Sequence, residues 1–267
     1  KGALIIKVEE ESDKSPMPPL LLQKSDGGLI YASTDMATIE ERVKDFGATY
    51  IFYVVDGRQS LHFEQVIRAS KKTGILTETT CEHLGFGTVN GPDGKPFKTR
   101  AGGVMKLSDL YTLLQDEAKK VLNDEGVFDK YGEAETAKIA KDVAIAALKF
   151  GDLQHDRTQD YIFDVKKFSS FEGKTGPYLL YAAVRMKSLL AQAEARGINL
   201  SESLVDLPPE AKPLALLVMQ FSDKIRLAAR KRLPSILADY AYTLAKEFSR
   251  FYTQCHMLSE KDAVRQK

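Results

Sequence analysis

Short apolar runs of strand length alternate with helical periods over the first third of the chain. These runs are 3–8, 20–23 and 50–55, and the last one, Tyr-Ile-Phe-Tyr-Val-Val, predicts a central strand that is covered on both faces. The Ser-Asp-Gly-Gly sequence at 25–28 predicts a turn, and therefore a hairpin, after the second run. Alternating strands and helices are typical of an α/β domain.

Apolar residues recur at helical spacing after Thr34, and Gly47 ends the pattern. The apolar positions are Met36, Ile39, Val43 and Phe46. The spacing predicts a helix that begins at Asp35, with Thr34 or Asp35 as its N-cap. A carboxylate at this point, four residues after Tyr31, is also suited to hold a cation such as a guanidinium. Both interpretations of Asp35 stay open.

A polar loop at 56–60 follows the predicted central strand, and a second helix that Gly74 ends follows the loop. Ligands of open α/β sheets bind at the carboxyl ends of strands, so residues 56–62 stand where chemistry is expected. Gln59 and His62 are one helical turn apart and suit a polar ligand. The alternative is that His62 is simply packed or solvated, as a single histidine on a helix usually is.

Residues 85–89 predict a short strand, and the next fourteen residues, 90–103, contain four glycines and two prolines. This composition predicts an exposed loop. Three cations lie within six residues of it, Lys95, Lys98 and Arg100, together with Phe97. Such a loop is suited to neutralise the charge of a polyphosphate. A charged surface hairpin is the other explanation.

From Ser108 onward the pattern is helical almost throughout. The predicted helices are 108–122 with Ser108 as the cap, 139–150, 178–196, 210–232 and a fifth after Pro234. They predict a helical bundle. Residues 123–126, Asn-Asp-Glu-Gly, interrupt the pattern and place a domain boundary near residue 120, which gives domains 1–120 and 121–267.

Composition and charge exclude several classes of protein. The 267 residues are 43% hydrophobic and 28% charged, and no run approaches the roughly 18 apolar residues of a membrane span, so membrane-spanning and disordered classes are excluded. The net charge is +1, so any binding of nucleic acid must use local patches. Arg226 and Arg230 lie in one such patch, the basic segment 224–232, which either contacts a nucleic-acid backbone or is a solvated helix face.

The two cysteines, Cys81 and Cys255, form no Cys-x-x-Cys pair. This spacing excludes a disulfide scaffold and a cysteine zinc site, and it indicates a reducing cytoplasm. His83 beside Cys81 has no second pair at ligand spacing, so no metal site is predicted. The chain opens on Lys1 without the layout of a signal peptide, which suggests a piece of a longer protein.

Four segments, taken together, resemble arginyl-tRNA synthetases of the bacterial type. They are 31–35 (YASTD), 56–63 (DGRQSLHF), 94–103 (GKPFKTRAGG) and 170–181 (SFEGKTGPYLLY), and they occur in the family's order. The resemblance covers essentially the whole chain. It implies an α/β plus all-α protein: the later half of a class I Rossmann catalytic domain, followed by a helical-bundle anticodon-binding domain that is itself incomplete.

The resemblance implies roles for the candidate residues and the partners that they bind. Tyr31, Asp35 and Gln59 would hold the guanidinium of L-arginine, and His62 would lie in the adenosine pocket. The segment with Lys95, Phe97 and Lys98 would bind ATP with Mg²⁺ on its phosphates, and either Lys98 or Arg100 would act on those phosphates. For the tRNA(Arg) that the bundle would bind, charge and aromatic spacing rather than the resemblance select the candidate side chains: Tyr178, Tyr181, Arg185, Arg226 and Arg230. The alternative is that the two tyrosines pack within the bundle and the cations are solvated. A monomer without a protein metal site is expected.

One departure from the family concerns the first class I signature. No His-x-Gly-His string occurs in the 267 residues. The chain is therefore expected to be a fragment that is inactive by itself. The alternative is a non-catalytic tRNA-binding or regulatory paralogue. The joint presence of Asp35, Gln59 and the 95–100 loop favours the enzyme, because a paralogue of that kind has no use for all three.

Overall fold

The structure is a computed structural model that describes residues 2–95, 105–124, 126–198, 207–255 and 258. The chain divides into two compact units. The first unit is Lys1–Thr88 with Thr158–Asp160, and the second is Val89–Arg157 with Tyr161–Lys267.

The first unit begins with two antiparallel strands, β1 (Leu4–Ile6) and β2 (Leu20–Gln23). The chain then turns back, so that Leu29 pairs with Gln23 and the Lys24 N–H donates to the Gly28 carbonyl at 2.9 Å. The predicted hairpin after β2 is thus confirmed, although its returning arm pairs only through Leu29.

Two helices and two parallel strands complete the first unit. They are α1 (Tyr31–Lys44), β3 (Tyr50–Tyr53), α2 (Ser60–Lys72) and β4 (Thr80–His83), with Tyr50 paired with Thr80. Ile39 of α1 and Val66 of α2 are fully buried in one core with Ile51 of β3.

The prediction that β3 is covered on both faces is wrong for the described residues. Ile51 is buried, but its neighbours Tyr50 and Phe52 are exposed, as is Val54 just after the strand. Successive side chains of a strand point to opposite faces, and the described helices pack only on the face of Ile51. This aromatic-rich run therefore forms a strand with one face that no described helix covers.

The second unit begins with two short parallel strands and two long helices. Strand β5 (Val89–Asn90) pairs with β6 (Tyr161–Ile162). Helix α3 (Leu107–Asp124) packs along α4 (Val127–Leu153). A short helix, α5 (Val165–Ser169), follows β6. In place of the strand predicted at 85–89, the structure has the two-residue strand β5 and an isolated β-bridge between Phe86 and Asp56. The structure adds β6 and α5, which the sequence did not predict. Residue 120 lies within α3, and the boundary placed there remains a prediction.

The remaining helices of the second unit are α6 (Gly176–Ala195), α7 (Lys212–Met219), α8 (Phe221–Lys231) and α9 (Ser235–Gln254). Thr175 caps α6 by accepting a hydrogen bond from the Tyr178 N–H at 3.2 Å. A Cβ on Gly176 would collide with the Ala146 carbonyl of α4, so a glycine is needed for the close approach of these helices. The single helix predicted over 210–232 is wrong, because the chain breaks at Gln220 into α7 and α8.

Candidate functional site

The Asp56 carboxylate makes most of the side-chain hydrogen bonds in the loop after β3. Asp56 precedes a short 3₁₀ turn, Gly57–Gln59, and its Oδ1 accepts a hydrogen bond from the Arg58 backbone N–H at 2.8 Å. The Arg58 side chain folds back and donates from Nε at 2.9 Å and from Nη2 at 2.7 Å to the same carboxylate. These bonds lower the pKa of Asp56 to about 2. The turn delivers Gln59 directly to the start of α2.

Helix α1 begins at Tyr31, four residues earlier than predicted. Its N-cap is Ile30, in an extended conformation and without a side-chain cap. Asp35 therefore lies within the helix, and the interpretation of Asp35 as an N-cap is wrong. The buried face already begins at Ala32, a small residue whose weak hydrophobicity did not mark the first turn. Tyr31 and Asp35, four positions apart, share one face of α1.

A contact between Asp35 and His62 joins α1 to α2. The His62 Nε2 lies 2.6 Å from the Asp35 Oδ2, and each side chain is about 30% exposed. An ionised carboxylate only accepts hydrogen bonds, so the Nε2 carries the proton and donates it. This pair connects residues that are 27 positions apart in the sequence.

Phe63 lies beneath this pair at the centre of an aromatic cluster. The His62 ring meets Phe63 edge-on at 5.2 Å, and the rings of Tyr53 and His83 lie 4.6 and 5.0 Å from Phe63. The Tyr53 hydroxyl is buried and has no hydrogen-bond partner among the described residues. Burial raises the pKa of Tyr53, and the Arg42 guanidinium, 5.2 Å from the centroid of its ring, opposes part of the rise. His62, the partner of the α1 carboxylate, therefore packs against a largely aromatic cluster.

Three polar groups at this edge of the first unit remain open. Within the described parts of the chain, no hydrogen bond is made by the Tyr31 hydroxyl, the Gln59 carboxamide or the Asp35 Oδ1. Tyr31 is 86% exposed, and Gln59 is exposed too. The structure brings Asp35 into contact with His62. Tyr31 lies one turn before Asp35 in α1, and Gln59 lies about one turn before His62 at the start of α2. A carboxylate with neighbouring hydroxyl and amide groups is suited to a planar cation.

The predicted phosphate-binding loop is described only at its start. Lys95 is exposed, its backbone N–H donates to Asp93 Oδ1 at 3.1 Å, and its carbonyl accepts from the Gly91 N–H at 2.7 Å. Phe97, Lys98 and Arg100 lie outside the described residues.

The predicted tRNA-binding residues of α6 divide into a packed and an exposed part. Tyr178 packs on α9, because its hydroxyl lies 3.3 Å from the Ser249 Oγ and its ring 5.7 Å from Tyr242. Tyr181 is about half exposed. The Arg185 guanidinium lies over the Tyr181 ring, 4.5 Å from its centroid, and donates to the Tyr181 hydroxyl.

Tyr252 of α9 is a residue that the sequence reasoning missed. Its ring centroid lies 5.0 Å from the Arg185 guanidinium, which therefore contacts the aromatic faces of two helices. Periodicity within one helix does not predict which residue of a distant helix will lie opposite. We call Tyr181, Arg185 and Tyr252 the aromatic–arginine cluster.

The two predicted cations of α8 are exposed. Arg226 forms a 3.4 Å ion pair with Asp223, and both side chains are largely solvated. Arg230 is also exposed. Among the described residues no group of three or more His, Cys, Asp or Glu side chains is arranged to hold a metal ion. None of the described helices combines the length and the apolar character that crossing a membrane demands.

Two protein families match the chain, one after the other. Residues 1–165 match the family described as tRNA synthetases class I (R), catalytic domain. Residues 179–267 match the family described as DALR anticodon binding domain.

The chain is similar to curated arginine–tRNA ligases along nearly its whole length. It is 48% identical to that of Hyphomonas neptunium over 98% of this chain and 44% of the relative. The relative from Maricaulis maris is 45% identical over 99% of this chain and 45% of its own length. The chain thus spans about half the length of the curated relatives it matches.

Solved structures agree with these matches. The arginyl-tRNA synthetase of Plasmodium falciparum is 26% identical with a TM-score of 0.78, over 99% of this chain and 44% of that one. The Thermus thermophilus arginyl-tRNA synthetase, 20% identical, has the same fold with a TM-score of 0.83, over 99% of this chain and 49% of that one.

Proposed function

We propose, from the premise that this chain belongs to the class I tRNA synthetases of the arginine type, that it is part of an enzyme that attaches L-arginine to tRNA(Arg). Its first unit would bind arginine through the edge that Tyr31, Asp35 and Gln59 form. Its later helices would carry the anticodon-binding surface. One observation carries the proposal: the Asp35 carboxylate of α1 contacts His62 of α2, the helix after β3, and its Oδ1 makes no hydrogen bond among the described residues. We further propose that the protein acts as a monomer in the cytoplasm.

Recognition of arginine rests on charge and planarity. Asp35 would accept hydrogen bonds from the guanidinium, while the Tyr31 hydroxyl and the Gln59 carboxamide complete the contacts. The Asp35 side chain is 29% exposed, and this partial burial lowers the local dielectric, which strengthens the pairing. A neutral isostere such as citrulline would bring no cation to the carboxylate, and the loss of such a charge pair would make the site selective for arginine.

The chemistry proceeds in two steps and needs no nucleophile from the protein. A carboxylate oxygen of arginine attacks the α-phosphorus of ATP, which is bound as its Mg²⁺ complex. The bond from that phosphorus to the bridging oxygen breaks and pyrophosphate leaves. The terminal ribose hydroxyl of tRNA(Arg) then attacks the arginyl carbonyl carbon, and AMP leaves. Positioning and neutralisation of charge drive both steps, and the lysines and arginine of the 95–100 loop are proposed to supply the charge.

The helical part would bind tRNA(Arg) through local features, because the whole chain carries a net charge of only +1. The exposed aromatic–arginine cluster offers faces on which unstacked bases stack, and Arg226 and Arg230 are proposed to contact phosphates. Because no His-x-Gly-His string occurs in the 267 residues, we propose that these residues alone do not complete the reaction.

Replacing Asp35 by asparagine tests the proposal in the complete protein that carries this sequence. Asp35→Asn removes the charge that faces the guanidinium, and loss of one partner of a shielded charge pair costs about 2–5 kcal/mol. Arginine-dependent exchange between ATP and pyrophosphate, with tRNA(Arg) present, should lose about 30-fold or more in kcat/KM for arginine.

Asp45→Asn, at the exposed C-terminal end of the same helix, is the matched control and should match the wild type. Circular dichroism establishes that both variants fold. A folded Asp35→Asn protein with less than threefold change would contradict the proposed role of Asp35. A protein that binds tRNA(Arg) but shows no exchange in the wild-type form would instead be a non-catalytic relative.

A further inference from the structure

In the structure His62 has a protein partner that the family resemblance does not name. The resemblance places His62 in the adenosine pocket. In the structure its Nε2–H donates to the Asp35 Oδ2 at 2.6 Å, and so it contacts the carboxylate proposed to hold arginine. The two side chains are exposed to the same degree, 30% for His62 and 29% for Asp35. The contact is short and half-buried, and it links two helices.

A carboxylate that receives a guanidinium benefits from a fixed orientation. The Asp35 side chain on α1 is only half-buried, so without a partner its side-chain torsions would leave the two oxygens free to rotate. The hydrogen bond from His62 fixes the Oδ2 and so defines the plane of the carboxylate. Each carboxylate oxygen has two acceptor positions, so the Oδ1 and one position on the Oδ2 stay available for a planar cation.

His62 is itself held by its neighbours. Its ring packs edge-on against Phe63, which is 5% exposed and in turn contacts the rings of Tyr53 and His83. The position of the imidazole is thus set by the buried cluster rather than by solvent. A group held on a rigid element transmits its position to the next group, which is how supporting side chains orient a binding site.

We infer that His62 is a positioning residue for arginine, which acts by orienting the Asp35 carboxylate, and not a contact to adenosine. The inference rests on the proposed function. It predicts a division of effects: loss of His62 weakens the use of arginine and leaves the use of ATP nearly unchanged.

Three variants of the complete protein test the inference. His62→Ala removes the donor, while His62→Gln can keep an N–H donor near the place of the Nε2. Lys71→Ala, at an exposed position on the same helix, is the matched control. The apparent KM values for arginine and for ATP are measured separately in the ATP–pyrophosphate exchange assay with tRNA(Arg) present.

His62→Ala is expected to raise the KM for arginine about tenfold, the usual effect of losing a hydrogen bond to a charged group. The KM for ATP should change less than twofold, His62→Gln should recover to within about threefold of the wild type, and Lys71→Ala should be unchanged. In an Asp35→Asn background, His62→Ala should add little further loss, because a residue that acts through Asp35 has nothing left to orient.

Several results would overturn the inference. One is a KM for ATP that rises in His62→Ala while the KM for arginine does not, as an adenosine contact requires. If His62→Ala raised the KM for arginine by the same factor in the wild-type and Asp35→Asn backgrounds, His62 would act independently of Asp35. A wild type without arginine-dependent exchange would overturn the proposed function and this inference with it. An active wild type with a folded, kinetically normal His62→Ala overturns the inference alone.

Discussion

At the scale of single residues, the Asp56 side chain determines the geometry of the loop that follows β3. It accepts hydrogen bonds from the backbone and from the guanidinium of Arg58, and these lower its pKa from the ordinary 3.8 to about 2. A carboxyl group with a lowered pKa stabilises the fold above its unfolded pKa. The contribution is lost as the pH falls through the folded value, here from about pH 4 to pH 2.

Asp56→Asn separates the charge of this residue from its role as a cap. Asparagine caps a turn nearly as well as aspartate, so the variant mainly removes the charge pair with Arg58. We expect the melting temperature of the variant to lie about 2 °C below the wild type at pH 6, with the difference closing as the pH approaches 2. Thermal unfolding followed by circular dichroism at several pH values measures this.

Asp142→Asn is the control for the acid titration, because Asp142 is exposed on α4 and has no ion pair within the described residues. Its melting temperature should follow the wild type at every pH. A difference between Asp56→Asn and the wild type that stays constant down to pH 2 would show that the carboxylate charge contributes nothing.

At the scale of elements, the sequence predicted where helices occur better than where they begin or break. The apolar pattern begins at Met36 and so predicts α1 from Asp35, because the small buried Ala32 contributes little to the pattern. The break between α7 and α8 at Gln220 has no proline or glycine to mark it. An apolar run cannot reveal that one face of β3 stays open, since this depends on which elements pack against it.

The aromatic–arginine cluster on α6 and α9 carries the prediction for tRNA binding. Arg185 contacts both tyrosine rings, so Arg185→Ala removes a cation and loosens both stacking faces. Because the variant loses both stacking and a phosphate contact, we expect Arg185→Ala to bind tRNA(Arg) about tenfold more weakly than the wild type. Its affinity should also depend less on salt. Filter binding of the labelled tRNA at two salt concentrations measures both effects.

Tyr178→Phe is the matched control, because it keeps the ring that packs on Tyr242 and removes only the hydroxyl near Ser249. Its affinity for tRNA should equal that of the wild type. An unchanged affinity and salt dependence in a folded Arg185→Ala protein would place the anticodon surface elsewhere on the bundle.

At the scale of the whole molecule, the predicted fold class is confirmed. The matches to a class I catalytic domain and to an anticodon-binding domain follow each other in the predicted order. Local motifs such as 56–63 were enough for this, because their residues are adjacent in the chain. The contacts of Asp35 with His62 and of Arg185 with Tyr252 were not predicted, since each joins two helices whose packing only the folded chain defines.

The central claim is that the edge formed by Tyr31, Asp35 and Gln59 selects arginine. ATP–pyrophosphate exchange by the complete protein, with tRNA(Arg) present and with arginine, lysine or citrulline as the amino acid, tests it most directly. Exchange should depend on arginine, and lysine and citrulline should be at least about a hundredfold poorer in kcat/KM, because neither pairs a planar cation with the Asp35 carboxylate. Exchange with lysine or citrulline at rates near that of arginine would contradict the account.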